Sequence, residues 1–275
     1  MEAKVIRLDE VDSTNRWLRE NAADEAATMV CVADFQTAGR GCGTNSWESE
    51  RGKNLLFSLL IRPEGIEARR QFQISMATAL AVSDAMGDFG IKNIRVKWPN
   101  DIYWNDRKLC GMLIENQLSG TAIRDSIIGI GLNVNQTEFR FPQAADYDPM
   151  TSPNPVSMRQ ILGHDIDREE VLRSIVSHLK ICACMADFTR IRYNALLYRR
   201  DGRRHRFRDG EGDFQAEVLE VDELGKLLLK KDDGRVVSYG FKEVVFVKCE
   251  VRSEECGVWS EKRGRRSEER GARNE

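Results

Sequence analysis

The sequence predicts an α/β chain of the α+β kind: a larger part mixing strands and helices up to about residue 200, followed by a small β-barrel of short antiparallel strands. Three observations carry this. Short runs with strand character at residues 27–34, 54–62, 94–98, 108–117 and 126–135 flank a segment, 69–89, whose apolar residues recur near helical spacing (Phe72, Ile74, Met76, Ala79, Leu80, Val82, Met86). From Ser157 to Tyr198 the pattern is helical. After Asp201-Gly202 the period shortens, and Asp-Gly, Gly-Asp and Leu-Gly pairs separate brief runs at 206–211, 214–221, 226–231, 236–239 and 243–249.

Taken in order, residues 4–9 alternate and make a first strand. Asp12 or Ser13 then caps a helix over about 14–22, although the hydroxyl and amide groups of Ser13, Thr14 and Asn15 would equally offer donors and acceptors to a polar ligand. Between the strands at 27–34 and 54–62 lies Gln-Thr-Ala-Gly-Arg-Gly-Cys-Gly-Thr-Asn-Ser-Trp, residues 36–47, with glycines at 39, 41 and 43 and Arg40 as its only charge. Glycines let a backbone approach a ligand, and a guanidinium suits a carboxylate or phosphate, so the stretch reads as a mobile lid for an anion or, more plainly, as a surface hairpin. The helix at 69–89 ends at Gly87 or Gly90. Pro99 stops the strand at 94–98 and leaves Lys97-Trp98-Pro99-Asn100-Asp101 at a strand end. Gly111, Gly129 and Gly131 interrupt the two strands joined by Ser119-Gly120, where another segment or a ligand comes close. Four of the six prolines fall within 136–155, an irregular connection. A short helix at 158–162 precedes a longer one that Asp167 caps and that runs to about Phe188, with a further stretch from Thr189 to Tyr198; Cys182 and Cys184 fall on its opposite sides, as core packing requires. Residues 251–275, rich in Arg, Glu, Ser and Gly, read as a disordered tail. The expected division is therefore 1–200, 201–250 and 251–275.

Composition excludes several classes of function. A chain of 275 residues with 41% hydrophobic content can bury a full core. It contains no apolar run near the roughly 20 residues needed to span a bilayer and no apolar signal segment at its start, so no membrane role is expected and the cytoplasm is the default. Seven cysteines without Cys-x-x-Cys spacing, and only three histidines, argue for free thiols over disulfides or zinc. A net charge of -2 gives no general affinity for nucleic acid. The basic run Arg199 to Arg206 would be its one local carrier, but acidic residues from Asp209 to Asp213 follow it, which makes a solvated face the better reading.

Four separated segments together resemble the biotin protein ligases: Ser13-Thr14-Asn15; Gln36 to Gly41 continuing to Trp47; Lys97 to Asp101 with Arg107-Lys108-Leu109-Cys110-Gly111 behind it; and Gly129-Ile130-Gly131-Leu132-Asn133-Val134-Asn135. The resemblance covers about residues 5–248. It implies a catalytic part with a mixed central sheet and flanking helices, similar to lipoyl ligases and class II aminoacyl-tRNA synthetases, and an SH3-like barrel after it. The stretch before Ser13 leaves no room for the DNA-binding helix-turn-helix of some members, so a ligase alone is expected. The implied activity is ATP-dependent formation of biotinyl-5'-AMP and transfer of biotin to a lysine of a biotin carboxyl carrier protein, with Mg²⁺ on the phosphates. A lipoate or octanoate ligase is the nearest alternative and a nucleic-acid-binding module a more distant one; a homodimer stays open.

Carried over by the same resemblance, Arg40, Lys108 and Asp101 are the catalytic residues, with Asp101 also the candidate to hold Mg²⁺ or to orient a lysine. Ser13, Thr14, Asn15, Gln36, Gly39, Arg40, Gly41, Lys108 and Gly111 would bind biotin. Arg40, Trp47, Asn100, Lys108 and Asn133 would bind ATP or the adenylate. Trp47 or Trp98 would supply an apolar wall, Lys97 would be either a solvated charge or a phosphate contact, and Asn133 either an ATP contact or a brace for its loop. Cys42 stands where many members carry a second lid arginine.

Overall fold

In the computed structural model, residues 3–22, 28–43, 45–63, 65–139, 148, 150–182 and 186–248 are described. Apolar on both faces except at Ser58, β3 (Leu55–Ile61) has to lie in mid-sheet, and it does. The sheet around it contains β1 (Lys4–Leu8), β2 (Thr28–Ala33), β4 (Ile94–Lys97), β5 (Asp101–Trp104), β6 (Arg107–Ser119) and β7 (Ala122–Leu132), in the order β1-β2-β3-β7-β6-β5-β4. β1 runs parallel to β2, the short β8 (Asn154–Pro155) runs parallel to β6, and the other pairs are antiparallel, so the sheet is mixed as expected.

Alternation along the central strands sorts side chains between two faces. Val30, Val32, Leu55, Phe57, Leu59, Ile128 and Ile130 join the main core, against α2 (Phe72–Asp88), which in turn packs on α4 (Arg168–Cys182) and α5 (Ala186–Ala195). Met29, Cys31, Leu60 and Ile127 point the other way and meet Leu18 of α1 (Thr14–Asn21) in a smaller cluster. Ser58, Gly129 and Gly131 share that second face, which is why a polar site can form there without opening the core.

Several expectations need adjustment. Pro99 does end β4, but the chain turns through Trp98-Pro99-Asn100 and returns as β5, pairing Lys97 with Asp101 across a hairpin that the short run 101–104 did not signal. Neither Ser13 nor Asp12 caps α1 through its side chain; Asp12 Oδ1 accepts the Ser13 N–H instead, at 2.5 Å. The helix expected to reach Phe188 is seen as α4 up to Cys182 and as α5 from Ala186, and residues 183–185 lie outside the described residues. Ser157 does cap α3 (Met158–Leu162), in a reciprocal box with Gln160. Cys184 and the segment 251–275 lie outside the described residues, as does much of 136–155.

The small β part expected after residue 200 is present as a five-stranded antiparallel sheet, β12-β11-β10-β9-β13, built from β9 (Arg204–Asp209), β10 (Gly212–Val221), β11 (Leu227–Lys231), β12 (Val236–Tyr239) and β13 (Val245–Phe246). Its apolar side is continuous with the main core. Tyr103, Tyr198 and Phe246 meet in series as tilted ring pairs, with ring centres 5.3 and 6.1 Å apart, and Trp98 Nε1 donates to the Gly225 carbonyl at 2.9 Å. Buried Asn194 of α5 closes the seam: its amide donates to Val221 O at 3.0 Å and accepts from Val221 N at 2.7 Å. Asn194→Ala should therefore leave two buried backbone groups unmatched and lower the unfolding free energy by about 1–3 kcal/mol. Because both sheets share one core, urea unfolding followed by fluorescence should remain a single transition with an unchanged slope.

Candidate active site

The site is seated at the start of α1, where Ser13, Thr14 and Asn15 are all buried. Gln36 Oε1 accepts from the Thr14 N–H at 2.8 Å and from its hydroxyl at 3.1 Å. Ser58, the lone polar residue in β3, places its hydroxyl 2.7 Å from Thr14 Oγ1 and 2.6 Å from Asn15 Oδ1. The Asn15 amide donates to Leu113 O and to Glu115 Oε2, at 3.2 and 2.7 Å. A fixed pattern of donors and acceptors thus faces the bare patch of sheet left by Gly129, where a Cβ would run into Asn15 Oδ1.

Residues 39–43 and 45–47 pair as the arms of a hairpin: Gly41 N donates to Asn45 O at 2.7 Å, Trp47 N donates to Gly39 O at 2.9 Å, and Arg40 pairs with Ser46. The Trp47 indole then lies flat on Gly111 and Gly131, which face each other across β6 and β7; a Cβ at these positions would meet the ring at 2.8 and 2.5 Å. No other residue type lets the indole sit so low. Arg40 folds under the hairpin and grips Glu115 with both terminal nitrogens, at 3.2 and 2.9 Å, while Arg19 takes the same carboxylate at 2.7 Å. Burial alone would raise the Glu115 carboxyl, but the bonds from Arg19, Asn15 and Arg40 outweigh it and hold the group below its ordinary value. Arg40 Nε and Trp47 Nε1 are buried donors with no partner.

Where β5 and β6 pair, Lys108 Nζ lies 2.7 Å from Asp101 Oδ1 and 5.5 Å from the centre of the Trp47 ring. Together these groups line a cavity of about 210 Å³ that also includes Gly41, Cys42 and Asn100. The Asn100 amide is engaged in donating to Met112 O at 2.7 Å, which fixes the β4–β5 turn to β6. Asn133 is not among the lining residues: buried, it donates to Val156 O at 3.1 Å and holds the loop after β7. Gly39 is buried behind the hairpin, where a Cβ would strike Trp47 O. Of the two tryptophans, Trp47 walls the cavity and Trp98 serves the seam with the second sheet. Lys97 is neither free in solvent nor in the cavity. Its ammonium lies 3.1 Å from Tyr103 Oη and 5.0 Å from that ring's centre, and burial pushes it down to about 8 despite the nearby Asp101. Burial, reinforced by Asp101, also holds the Cys42 thiol above its usual range, against the opposing pull of Lys242 and Lys108.

Four participants went unread in the sequence. Ser58 was visible as the one hydroxyl in an apolar strand, and Glu115 as a lone acid in β6, but neither has a partner close in sequence. Phe241 and Lys242 come from the second sheet and line the same cavity. The basic run is consumed locally: Arg199 bonds the Val247 and Arg206 carbonyls, Arg200 the Leu219 carbonyl, Arg204 pairs with Asp232, and Arg206 with Asp213. Among the described residues no group of three His, Cys, Asp or Glu side chains could cage a metal, and no helix is long and apolar enough to cross a membrane.

The model of the biotin/lipoate A/B protein ligase family matches residues 6–133. Over 237 residues the chain is 32% identical to the biotin--[acetyl-CoA-carboxylase] ligase of Paracoccus denitrificans, covering 84% of this chain and 95% of that protein. It is 32% identical to the bifunctional ligase/repressor BirA of Bacillus subtilis over 240 residues, 84% of this chain and 70% of that one. Among solved structures, the biotin protein ligase of Aquifex aeolicus in complex with biotin and ATP superposes with a TM-score of 0.70 at 28% identity, covering 88% of this chain and 97% of that chain. A mixed sheet carrying a polar seat, a glycine bed and a lysine–aspartate pair thus defines a ligase of the biotin and lipoate class. Within that class the chain belongs to the biotin protein ligases.

Glu115 is the common partner of Asn15, Arg19 and Arg40, so Glu115→Gln should lower the unfolding free energy by about 1–3 kcal/mol at neutral pH. Its folded-state pKa is depressed, so the contribution is present above the unfolded carboxyl value of about 4.3 and disappears as pH falls through the folded one. Denaturant unfolding of parent and variant should accordingly differ at pH 7 and converge on acidification; a gap independent of pH would contradict the role of the charge.

Proposed function

We propose that the cavity holds biotin with its ureido ring on the seat of Thr14, Asn15 and Gln36 and its carboxylate toward Lys108, with ATP beyond it and the 39–47 hairpin above. The observation that carries this reading is that two unlike groups line one cavity: a neutral lattice of amides and hydroxyls at α1, and a cation fixed by a carboxylate at β5–β6. A ureido group has donors and an acceptor and no charge, and it suits the first. Joining a carboxylate to a phosphate brings two anions together, which needs the second. The neutral lattice also favours biotin over lipoate or octanoate, which would leave those groups unmatched.

In the activation step a biotin carboxylate oxygen bonds to the α-phosphorus of ATP and pyrophosphate departs with the electrons of the broken P–O bond. Lys108 offsets the negative charge gathering between the two reactants, and Asp101, 2.7 Å away, keeps its ammonium aimed there. Trp47 covers the mixed anhydride and slows its loss to water. A lysine amine of a biotin carboxyl carrier protein then attacks the biotinyl carbonyl, AMP leaves and the amine proton is released. Mg²⁺ would travel on the ATP phosphates; Asp101, the one carboxylate among the described residues lining the cavity, would be the residue to complete its shell. Asn133 would act through its loop and Asn100 through its turn. Residues 1–200 would form the ligase proper, with 201–250 bordering the cavity, and the reaction would run in the cytoplasm.

Incubating the chain with biotin, ATP, Mg²⁺ and a carrier domain should add one biotin to one lysine, read by mass spectrometry; an unmodified carrier with free pyrophosphate accumulating would limit the reading to the first half-reaction. Lys108→Ala should slow biotin-dependent pyrophosphate release by about 10²–10³. Its thermal midpoint should stay near the parent's, and a rate within twofold of the parent would remove Lys108 from the chemistry.

A further inference from the structure

Charge accounting in the cavity points beyond the residues assigned so far. Among the described residues its lining contains three cations, Arg40, Lys108 and Lys242. Arg40 is held in a two-pronged pair by Glu115, and Lys108 is paired with Asp101. Among the described residues, Lys242 has no such carboxylate partner. A triphosphate entering this cavity would therefore find two cations already neutralised and one that is not.

The backbone presents Lys242 deliberately. It occupies the turn between β12 and β13, where Gly240 N donates to Glu243 Oε2 at 2.5 Å and Glu243 N donates to Gly240 O at 3.2 Å. Its φ is 67°, in the left-handed region that side-chain-bearing residues other than Asn and Asp seldom occupy, and such outliers persist where the surroundings demand them. From there the ammonium reaches the hairpin so closely that a Cβ on Gly43, itself at φ 72°, would collide with Lys242 Nζ. The lysine also bears on the neighbouring Cys42 thiol, whose ionisation it favours. A glycine at 43 and an uncharged, compact residue at 42 thus make the room that Lys242 fills.

Resting on the reading of the cavity as an ATP-dependent biotin ligase site, we propose that Lys242 is a phosphate-binding residue of the activation step, supplied by the second sheet to a lid whose own position 42 carries no charge. Lys242 acts on the nucleotide and not on biotin, because it bears on Gly43 and Cys42 of the hairpin, whereas the biotin seat is built from Thr14, Asn15 and Gln36 at the start of α1. The effect is electrostatic, so Arg can replace it and Met cannot.

The test is calorimetric titration of the full chain, saturated with biotin, with a non-hydrolysable ATP analogue and Mg²⁺, beside titration with biotin alone. Lys242→Met is expected to weaken the analogue about tenfold or more, Lys242→Glu further, and Lys242→Arg to return it to within about twofold of the parent. Biotin affinity and the thermal midpoint should be unchanged in all three. Analogue affinity within twofold of the parent in Lys242→Met, or equal losses for biotin and analogue, would overturn the assignment while leaving the ligase reading intact. A parent chain that binds neither ligand would overturn the ligase reading itself, and the role of Lys242 with it.

Discussion

The site depends on a stretch of sheet that has no side chains. Gly111 and Gly131 face one another across β6 and β7, with Gly129 two residues before Gly131 on the same face. Everything above that floor is placed by it: Asn15 can reach down to Leu113 O and Glu115, and the Trp47 indole can lie against backbone. A single methyl at any of the three would overlap a neighbour, so the floor sets the height of the cavity. The opposite face of the same strands is packed with Ile128, Ile130 and Met112, which holds the floor rigid from below.

On this floor the charges are arranged in compensated pairs. Glu115 is the hub for the hairpin, receiving Asn15, Arg19 and Arg40, and Asp101 serves Lys108 where β5 and β6 pair. Pairing orients long side chains and lessens the cost of holding them partly buried. It also makes each cation conditional: a ligand anion must compete with a carboxylate already in place. Arg40 shows this most clearly, since its terminal nitrogens are taken while Nε remains buried and unmatched.

Much of this was legible before any coordinates. The apolar runs that became β2, β3, β6 and β7, the helical period of α2 and the turn pairs of the second sheet are local patterns, and local patterns are what sequence periodicity records. The glycines were legible as places of close approach, though nothing in the order of residues could say that an indole lies on two of them. The strand β5 escaped because four residues beside a proline turn carry too little pattern. Glu115, Ser58 and Lys242 escaped for a different reason. Each acts on a partner tens or hundreds of residues away, and only the register of the sheet and the seam between the two sheets bring them together. Asn133 and Asn100 stood in the right motifs, yet both amides are spent on backbone carbonyls that shape loops.

The seam has a consequence for how far this molecule can be divided. Tyr103 and Tyr198 on one side and Phe207 and Phe246 on the other form one buried aromatic row, Trp98 bonds Gly225 beside it, and Asn194 stitches Val221 to α5. A fragment ending near residue 200 would retain most of the seat and floor but would turn that row out to water. Rings exposed together make an adhesive patch of the sort that drives unfolded chains into one another. The second sheet is therefore not a removable module: as far as solubility goes, it is the outer wall of the first.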